Sequence, residues 1–192
     1  MPADTSLKVC QRALILMGDE PITSFTDGSA SADVADAMYE DIARACLVNS
    51  RWRFATKQYE LVRSPTAPTG RFDAAYLIPS DSLMVNAVTV NDYPIVYDIY
   101  ENAILCDAST TDTLVLDYVY RVDEASWPSY FTLAVEYTMA SVFATSIARD
   151  SGLSQILERK AQYQMMLARR LDSQQQTTRK LNTSRFIAQR RS

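Results

Sequence analysis

The residue types that most often carry catalysis are scarce in this chain. Histidine is absent, which excludes Ser-His and Cys-His nucleophile pairs and every zinc site that needs imidazole. The three cysteines, Cys10, Cys46 and Cys106, are too few for a Cys₄ site, and the four glycines form no phosphate-binding loop. We therefore predict no catalytic, cofactor-binding or metal-binding residues, and we expect that the protein is not an enzyme.

Glu136 has an unusual setting among the acidic residues. It is the only charge between Pro128 and Ala148, on a predicted helix that is apolar nearly all round. A general acid would suit this position, but a lone carboxylate on a buried helix more often pairs internally with an arginine. Arg12 and Arg44 are the candidate partners. Among the other carboxylates, no pair stands out as a glycosidase couple.

Charge is distributed unevenly along the sequence. Residues 169–192 include seven basic residues and one acid, Asp172, whereas residues 1–168 hold 12 basic and 22 acidic residues. An acidic body followed by a basic, Gln/Thr/Ser-rich end predicts a folded core with a C-terminal arm.

The arm carries apolar side chains among its charges. A merely solvated tail needs none, whereas a docking segment uses arginine and aromatic residues as anchors. We expect the arm to order on binding to another protein. Nucleic acid is the alternative ligand, although the arm lacks interleaved aromatic residues and the acidic body would repel phosphate. The residues predicted to dock are Arg179, Lys180, Leu181, Arg185, Phe186, Ile187, Arg190 and Arg191.

Apolar periodicity predicts four helices and a group of strands. The helices are expected at 7–17, at about 31–49, from Trp127-Pro128 to 148, and from Leu153 onward. Period-two alternation predicts strands at 57–62, 83–90, 95–100, 103–106 and 114–122. The predicted fold class is α+β: a mainly α-helical bundle of two N-terminal and two C-terminal helices, with a small antiparallel β-sheet inserted between them and an extended basic C-terminal tail.

These elements divide the chain into four parts. Residues 1–56 are predicted as the N-terminal helical hairpin of the bundle and 57–126 as the inserted antiparallel β lobe. Residues 127–172 are predicted as the C-terminal helical hairpin and 173–192 as the basic arm. Aromatic side chains bury large areas, so the expected structural core includes Trp52, Phe54, Trp127 and Phe143.

The cysteines and the N-terminus indicate the compartment. Cys10 and Cys46 fall on apolar helix faces, so we expect reduced, buried thiols in a cytoplasmic protein. The first residues do not resemble a signal peptide, and no apolar run is long enough to span a bilayer. No membrane partner is therefore expected.

Several stretches follow one another in a characteristic order along nearly the whole chain. They are Ala13–Ile22 with Ala30–Ala37, Arg51-Trp-Arg-Phe-Ala55, Ala75–Ser80, the Trp127-Pro128 helix start, the Ile147–Leu157 helical hairpin, and Ser184–Arg191. In their shared order these pieces resemble the head-to-tail connector family of tailed phages, the tail tubular protein A-like adaptors.

This resemblance implies a structural adaptor that forms a twelve-subunit ring under the portal of a tailed phage or phage-like particle. The implied partners are the portal protein, which the arm would bind, other copies of the chain, and the downstream tail or nozzle protein. DNA would pass through the channel without sequence-specific binding. The protein would lie in the virion neck, and in the host cytoplasm during assembly.

Two sites are candidates for contact with a neighbouring subunit or a tail partner. They are the polar loop after the first helix, with Phe25 and Asp27, and the junction after the second helix, with Arg51 and Arg53. An alternative function follows from the basic arm alone. In that case the protein would be a small DNA-binding or regulatory protein.

Overall fold

A computed structural model describes residues 3–66 and 68–175 of the chain. In these residues four α-helices and two small antiparallel sheets form an α+β fold, which confirms the predicted class. The seven strands lie between the second and third helices, as the insertion pattern predicted. None of the described helices is long and apolar enough to cross a membrane.

The first two helices begin and end at recognisable capping residues. Helix α1 (Ser6–Met17) begins after Thr5, whose hydroxyl accepts a hydrogen bond from the Lys8 N–H, and ends at Gly18. Gly18 has φ 95°, and this left-handed backbone lets its N–H bond the last carbonyls of the helix. Helix α2 (Ala30–Val48) begins after Ser29, which caps the Ala32 N–H.

Helix α3 is the centre of the bundle. It spans Ser129–Ser146, follows Pro128, and packs against α1, α2 and helix α4 (Ser151–Ser173), whereas α1 and α2 share few contacts. Its apolar composition all round explains this position, because a helix surrounded on every side needs no polar face. Asp150 caps α4 by accepting hydrogen bonds from the Gly152 and Leu153 N–H groups.

The strands form two sheets rather than the single expected one. In chain order, the strands are β1 (Thr56–Glu60), β2 (Ala74–Leu77), β3 (Ser82–Val90), β4 (Tyr93–Pro94), β5 (Asp98–Tyr100), β6 (Ala103–Cys106) and β7 (Leu114–Tyr120). The larger sheet has the order β1-β7-β3-β4 and the smaller one β2-β6-β5, and every pairing is antiparallel.

The predicted strand at 95–100 is confirmed only for its second half, because residues 95–97 carry the chain from one sheet to the other. β4 ends at Pro94 in the larger sheet and β5 begins at Asp98 in the smaller one. The lobe has its own core between the sheets, with buried Tyr76, Val88 and Ile104. Two sheets can enclose such a core, whereas one sheet would leave a face without cover.

Strand β7 joins the lobe to the bundle. Leu114, Leu116 and Tyr118 face the lobe core, whereas Val119 on the opposite side packs into the bundle core. β7 is therefore buried on both faces. Even the charged Asp117 is only 9% exposed.

Candidate interaction surfaces

Aromatic side chains fill the junction between bundle and lobe. Trp52 is fully buried, donates its indole N–H to the Cys46 carbonyl (3.0 Å), and lies edge-on to Phe131 at 5.1 Å between centroids. Phe54 is half-buried, with its ring centroid 5.0 Å from that of Phe131. Trp127 and Phe143 are also buried in the bundle core. The junction is therefore a packed core from which both halves extend.

Asp172 anchors the end of α4 to this junction. It is 4% exposed, and its carboxylate accepts hydrogen bonds from the Arg53 backbone N–H (3.0 Å) and the Tyr130 hydroxyl (2.9 Å). Burial and the bond to this carboxylate raise the pKa of Tyr130 to about 12. In the sequence, Asp172 was noticeable only as the single acid among basic residues. The helix that precedes the arm therefore ends at a defined place.

A polar cleft lies beside the anchor, and we call it the junction cleft. Its volume is about 470 Å³, and its lining residues are Arg51, Arg53, Thr56, Lys57, Gln58 and Asp117. Arg51 forms an ion pair with Asp117, and Lys57 pairs with Asp81 at 3.0 Å. The structure thus brings the predicted contact residues Arg51 and Arg53 together in one concave, partly neutralised basic site.

The other predicted contact residues lie in the loop between α1 and α2. Asp27 organises this loop by accepting hydrogen bonds from the Ser29 hydroxyl (2.6 Å) and from the Ser29 and Thr23 N–H groups (both 2.9 Å). These bonds, that of the Ser29 hydroxyl first, lower the pKa of Asp27 to about 2. Phe25 is half-buried against the bundle core. Within the described residues both side chains therefore support the loop, and their contact role stays a prediction.

A network that the sequence did not predict ties the lobe back to α2. Arg121 follows β7 and pairs with Glu40 (3.0 Å) and Glu124 (2.6 Å). The Tyr39 hydroxyl donates to Glu124 at 2.8 Å. Desolvation acts against the charge of Arg121, but the hydrogen bonds that its guanidinium donates to Glu40 and Glu124 outweigh this effect and raise the pKa of Arg121. The partner Glu40 is 81 residues away in the chain, so only the packing of α2 against the end of β7 brings it to Arg121.

Glu136 is buried inside the bundle with Arg12 as its neighbour. The Arg12 Nε atom lies 3.1 Å from Glu136 Oε1, but the N–H is not directed at this oxygen, which accepts no hydrogen bond among the described residues. Burial raises the pKa of Glu136 to about 7, against the smaller opposing effect of Arg12. The other candidate, Arg44, pairs instead with Glu40 at 2.6 Å. The burial of this carboxylate is therefore poorly compensated by hydrogen bonds and by the charge of Arg12.

Large apolar side chains are exposed at several places on the described residues, and two groups stand out. On the lobe, Tyr93, Val96, Ile99 and Tyr100, in and between strands β4 and β5, are 52–84% exposed, and we call this surface the lobe tip. On α4, Ile156, Tyr163 and Met166 are 53–57% exposed. Large apolar residues grouped on an exposed surface are typical of contacts with other macromolecules.

The residues predicted to dock on a portal lie outside the described part of the chain. This applies to Arg179, Lys180, Leu181, Arg185, Phe186, Ile187, Arg190 and Arg191. The described chain does locate the start of the arm. After α4, Gln175 donates from its amide to the Tyr130 hydroxyl (3.3 Å), next to the Asp172 anchor.

The three thiols are predicted to be unreactive in the folded protein. Cys10, Cys46 and Cys106 are all buried and free, and burial raises the pKa of Cys10 to about 12 and that of Cys46 to about 11. The thiolate is the reactive form. We therefore expect less than about a tenth of the thiols in the native protein to react with an aromatic disulfide reagent at pH 8. All three should react in denaturant. Rapid reaction of the native protein would contradict the burial of these side chains.

The described residues form no metal site, and the chain matches no known family. Across residues 3–66 and 68–175, no group of three or more Cys, Asp or Glu side chains is placed to hold a metal ion. No protein-family model matches the chain, and no curated protein sequence matches it either.

Proposed function

We propose that this protein is a structural head-to-tail adaptor that assembles as a ring under the portal of a tailed phage or phage-like particle. It docks on the portal by its basic C-terminal arm, offers a platform to the next tail component, and leaves a channel for DNA. Its mechanism is assembly, so its functional groups are surfaces rather than reacting atoms. Its place is the virion neck, and the host cytoplasm before assembly.

The observation that carries this proposal is the separation of the exposed apolar surfaces. The lobe tip and the outer side of α4 belong to different elements, and each exposes several large apolar side chains. One isolated patch would suit a protein with one partner, whereas several suit a component that contacts its own copies and further proteins. The α+β architecture, with strands inserted into a helical bundle, is also the one that the family resemblance implies.

The start of the arm supports its docking role. Asp172 fixes the end of α4 at the junction, so residues 173–175 leave the body at a defined place. A docking segment that is tethered at a defined point reaches its partner at a high effective concentration. Seventeen residues span at most roughly 55 Å when extended, which is enough to reach a neighbouring protein.

Truncation after Gln176 tests the docking role. We expect the shortened protein to keep its helical circular dichroism and thermal midpoint, because the described contacts end at Gln175. It should lose most of its binding to the portal protein of the same genome in co-purification. Electron microscopy of the full chain with portal should reveal a ring of matching symmetry. Undiminished portal binding by the truncated protein would refute the docking role of the arm.

DNA binding is the second candidate, and the junction cleft favours it. Arg51, Arg53 and Lys57 share this cleft next to the start of the basic arm, and such a cluster can contact phosphate. Asp117 and Asp81 neutralise part of the charge, which is why we rank this function second. A gel shift with duplex DNA that weakens steeply between 50 and 200 mM salt would support it.

A further inference from the structure

Helices α2 and α4 lie on either side of a groove whose floor is α3. The groove has a volume of about 410 Å³, and its walls include Ile42 and Cys46 of α2 and Ala161 and Met165 of α4, with Ser141 of α3 below. Each helix therefore turns one side toward the groove and the core. Because an α-helix repeats every 3.6 residues, the residues on its opposite side point away from the groove. The outer faces of α2 and α4 thus lie on opposite flanks of the bundle.

The outer face of α2 is acidic. Asp33 and Asp41 are exposed on it on either side of the small side chain of Ala37. Among the ion pairs of the described residues, none involves these two carboxylates, whereas the nearby Arg44 is already paired with Glu40. We call this surface the acidic face. Its charge is available to a cation from outside the chain.

The outer face of α4 is apolar and basic. Ile156, Tyr163 and Met166 are exposed together with Arg159 and Arg170. Their positions, 156, 159, 163, 166 and 170, follow the alternating three- and four-residue spacing of a helix that packs along another helix. We call this surface the basic face. Over its length of roughly 21 Å it carries no acidic residue, and the described ion pairs leave both arginines unengaged.

The two faces complement each other but cannot meet within one chain. They lie on opposite flanks, so the acidic face of one molecule can reach only the basic face of another. A two-fold contact of either face with itself would place like charges together, which is unfavourable. The charge pattern therefore favours head-to-tail association. Such contacts generate a closed ring when the rotation between neighbours closes.

We propose that the basic face of α4, centred on Tyr163 and Met166, binds the acidic face of α2 in the next copy of the same chain. This interface rests on the proposed ring. It specifies which surfaces join neighbouring subunits. The apolar side chains of α4 supply the contact area, and the charges determine which face of the neighbour is bound. Ala37 lets the two helices approach closely, and the arginines of α4 reach Asp33 and Asp41.

Cysteine cross-linking tests the interface in the full chain. The native thiols are buried, so a short bismaleimide should join only introduced cysteines. A mixture of the Ala37→Cys and Met166→Cys variants should give a cross-linked dimer, and the double variant should give a ladder. Each single variant alone should stay monomeric on a denaturing gel. Ser109→Cys, at an exposed position on the lobe, mixed with Met166→Cys is the matched control.

The cross-linking is done on the assembled ring, free or on the portal. If a ring is present but the Ala37→Cys and Met166→Cys mixture cross-links no more than the control mixture, the proposed interface is wrong although the ring exists. Failure to find any ring, with or without portal, would instead count against the proposed function itself. The two failures are therefore distinguishable.

Charge reversal supplies an independent test in solution. Arg159→Glu with Arg170→Glu should weaken self-association about tenfold or more, as measured by sedimentation. A variant with Asp33→Lys and Asp41→Lys should be similarly weakened, and an equimolar mixture of the two variants should form heterodimers with restored affinity. Unchanged association of the first variant, or no recovery in the mixture, would refute the assignment of the faces.

Discussion

Replacing Asp172 with alanine is expected to lower the free energy of unfolding by about 3 kcal/mol. The carboxylate is buried and accepts hydrogen bonds from the Arg53 N–H and the Tyr130 hydroxyl. Its removal leaves two donors without their acceptor, and each unsatisfied buried donor costs about 1–3 kcal/mol. Urea denaturation followed by circular dichroism measures this change.

Asp150→Ala is the matched control for this substitution. Asp150 is an exposed aspartate at the other end of the same helix, where it caps the Gly152 and Leu153 N–H groups. Loss of an N-cap typically costs about 1 kcal/mol. The free energy of unfolding of Asp150→Ala should therefore be clearly higher than that of Asp172→Ala. Equal stability of the two variants would mean that water replaces the Asp172 carboxylate. Such a result would also weaken the argument that the arm begins at a rigid point.

Replacing Glu136 with glutamine is expected to stabilise the protein in a pH-dependent manner. The pKa of Glu136 is raised from 4.5 to about 7 in the folded protein, so the native state holds this proton more strongly than the unfolded state does. Wild-type stability should therefore fall as pH rises from about 4.5 to 7. The variant has no such loss. Its advantage should be about 1 kcal/mol at pH 5 and on the order of 3 kcal/mol at pH 8.

Thermal melts at pH 5 and pH 8 measure this effect, with Glu20→Gln as a control. Glu20 is exposed, so its substitution removes one negative charge without relieving any burial. The Glu136 variant should gain about 6–10 °C in Tm at pH 8, whereas the control should change little. A Glu136 variant that is less stable than wild type at pH 8 would mean that the ion pair with Arg12 outweighs the cost of burial.

Much of the fold could be predicted because its signals are local. The Asn91-Asp92 and Glu101-Asn102 turns adopt positive φ at both residues, as two-residue hairpin loops require. Gly18 ends α1 as its position indicated. The apolar run of α3 likewise matched a central helix. In each case neighbouring residues alone supply the constraint.

The pairing of distant groups could not be predicted in the same way. Arg53 and Asp172 are 119 residues apart and Arg121 and Glu40 are 81 residues apart. A sequence identifies such groups as charged but does not show which of them will meet. The same limit explains why a single strand was expected at 95–100. The change of sheet at these residues depends on the lobe core between the two sheets and not on the strand propensity of the segment.

The helices, the α+β class, and the division between an acidic body and a basic end follow from the amino-acid sequence, because periodicity, capping and charge are properties of neighbouring residues. Three features depend on the packed structure: the acidic and basic outer faces of α2 and α4, the cleft shared by Arg51 and Arg53, and the Asp172 anchor at the start of the arm. A surface forms when helices and strands bury their apolar sides against one another. Its composition therefore depends on which sides stay exposed after packing.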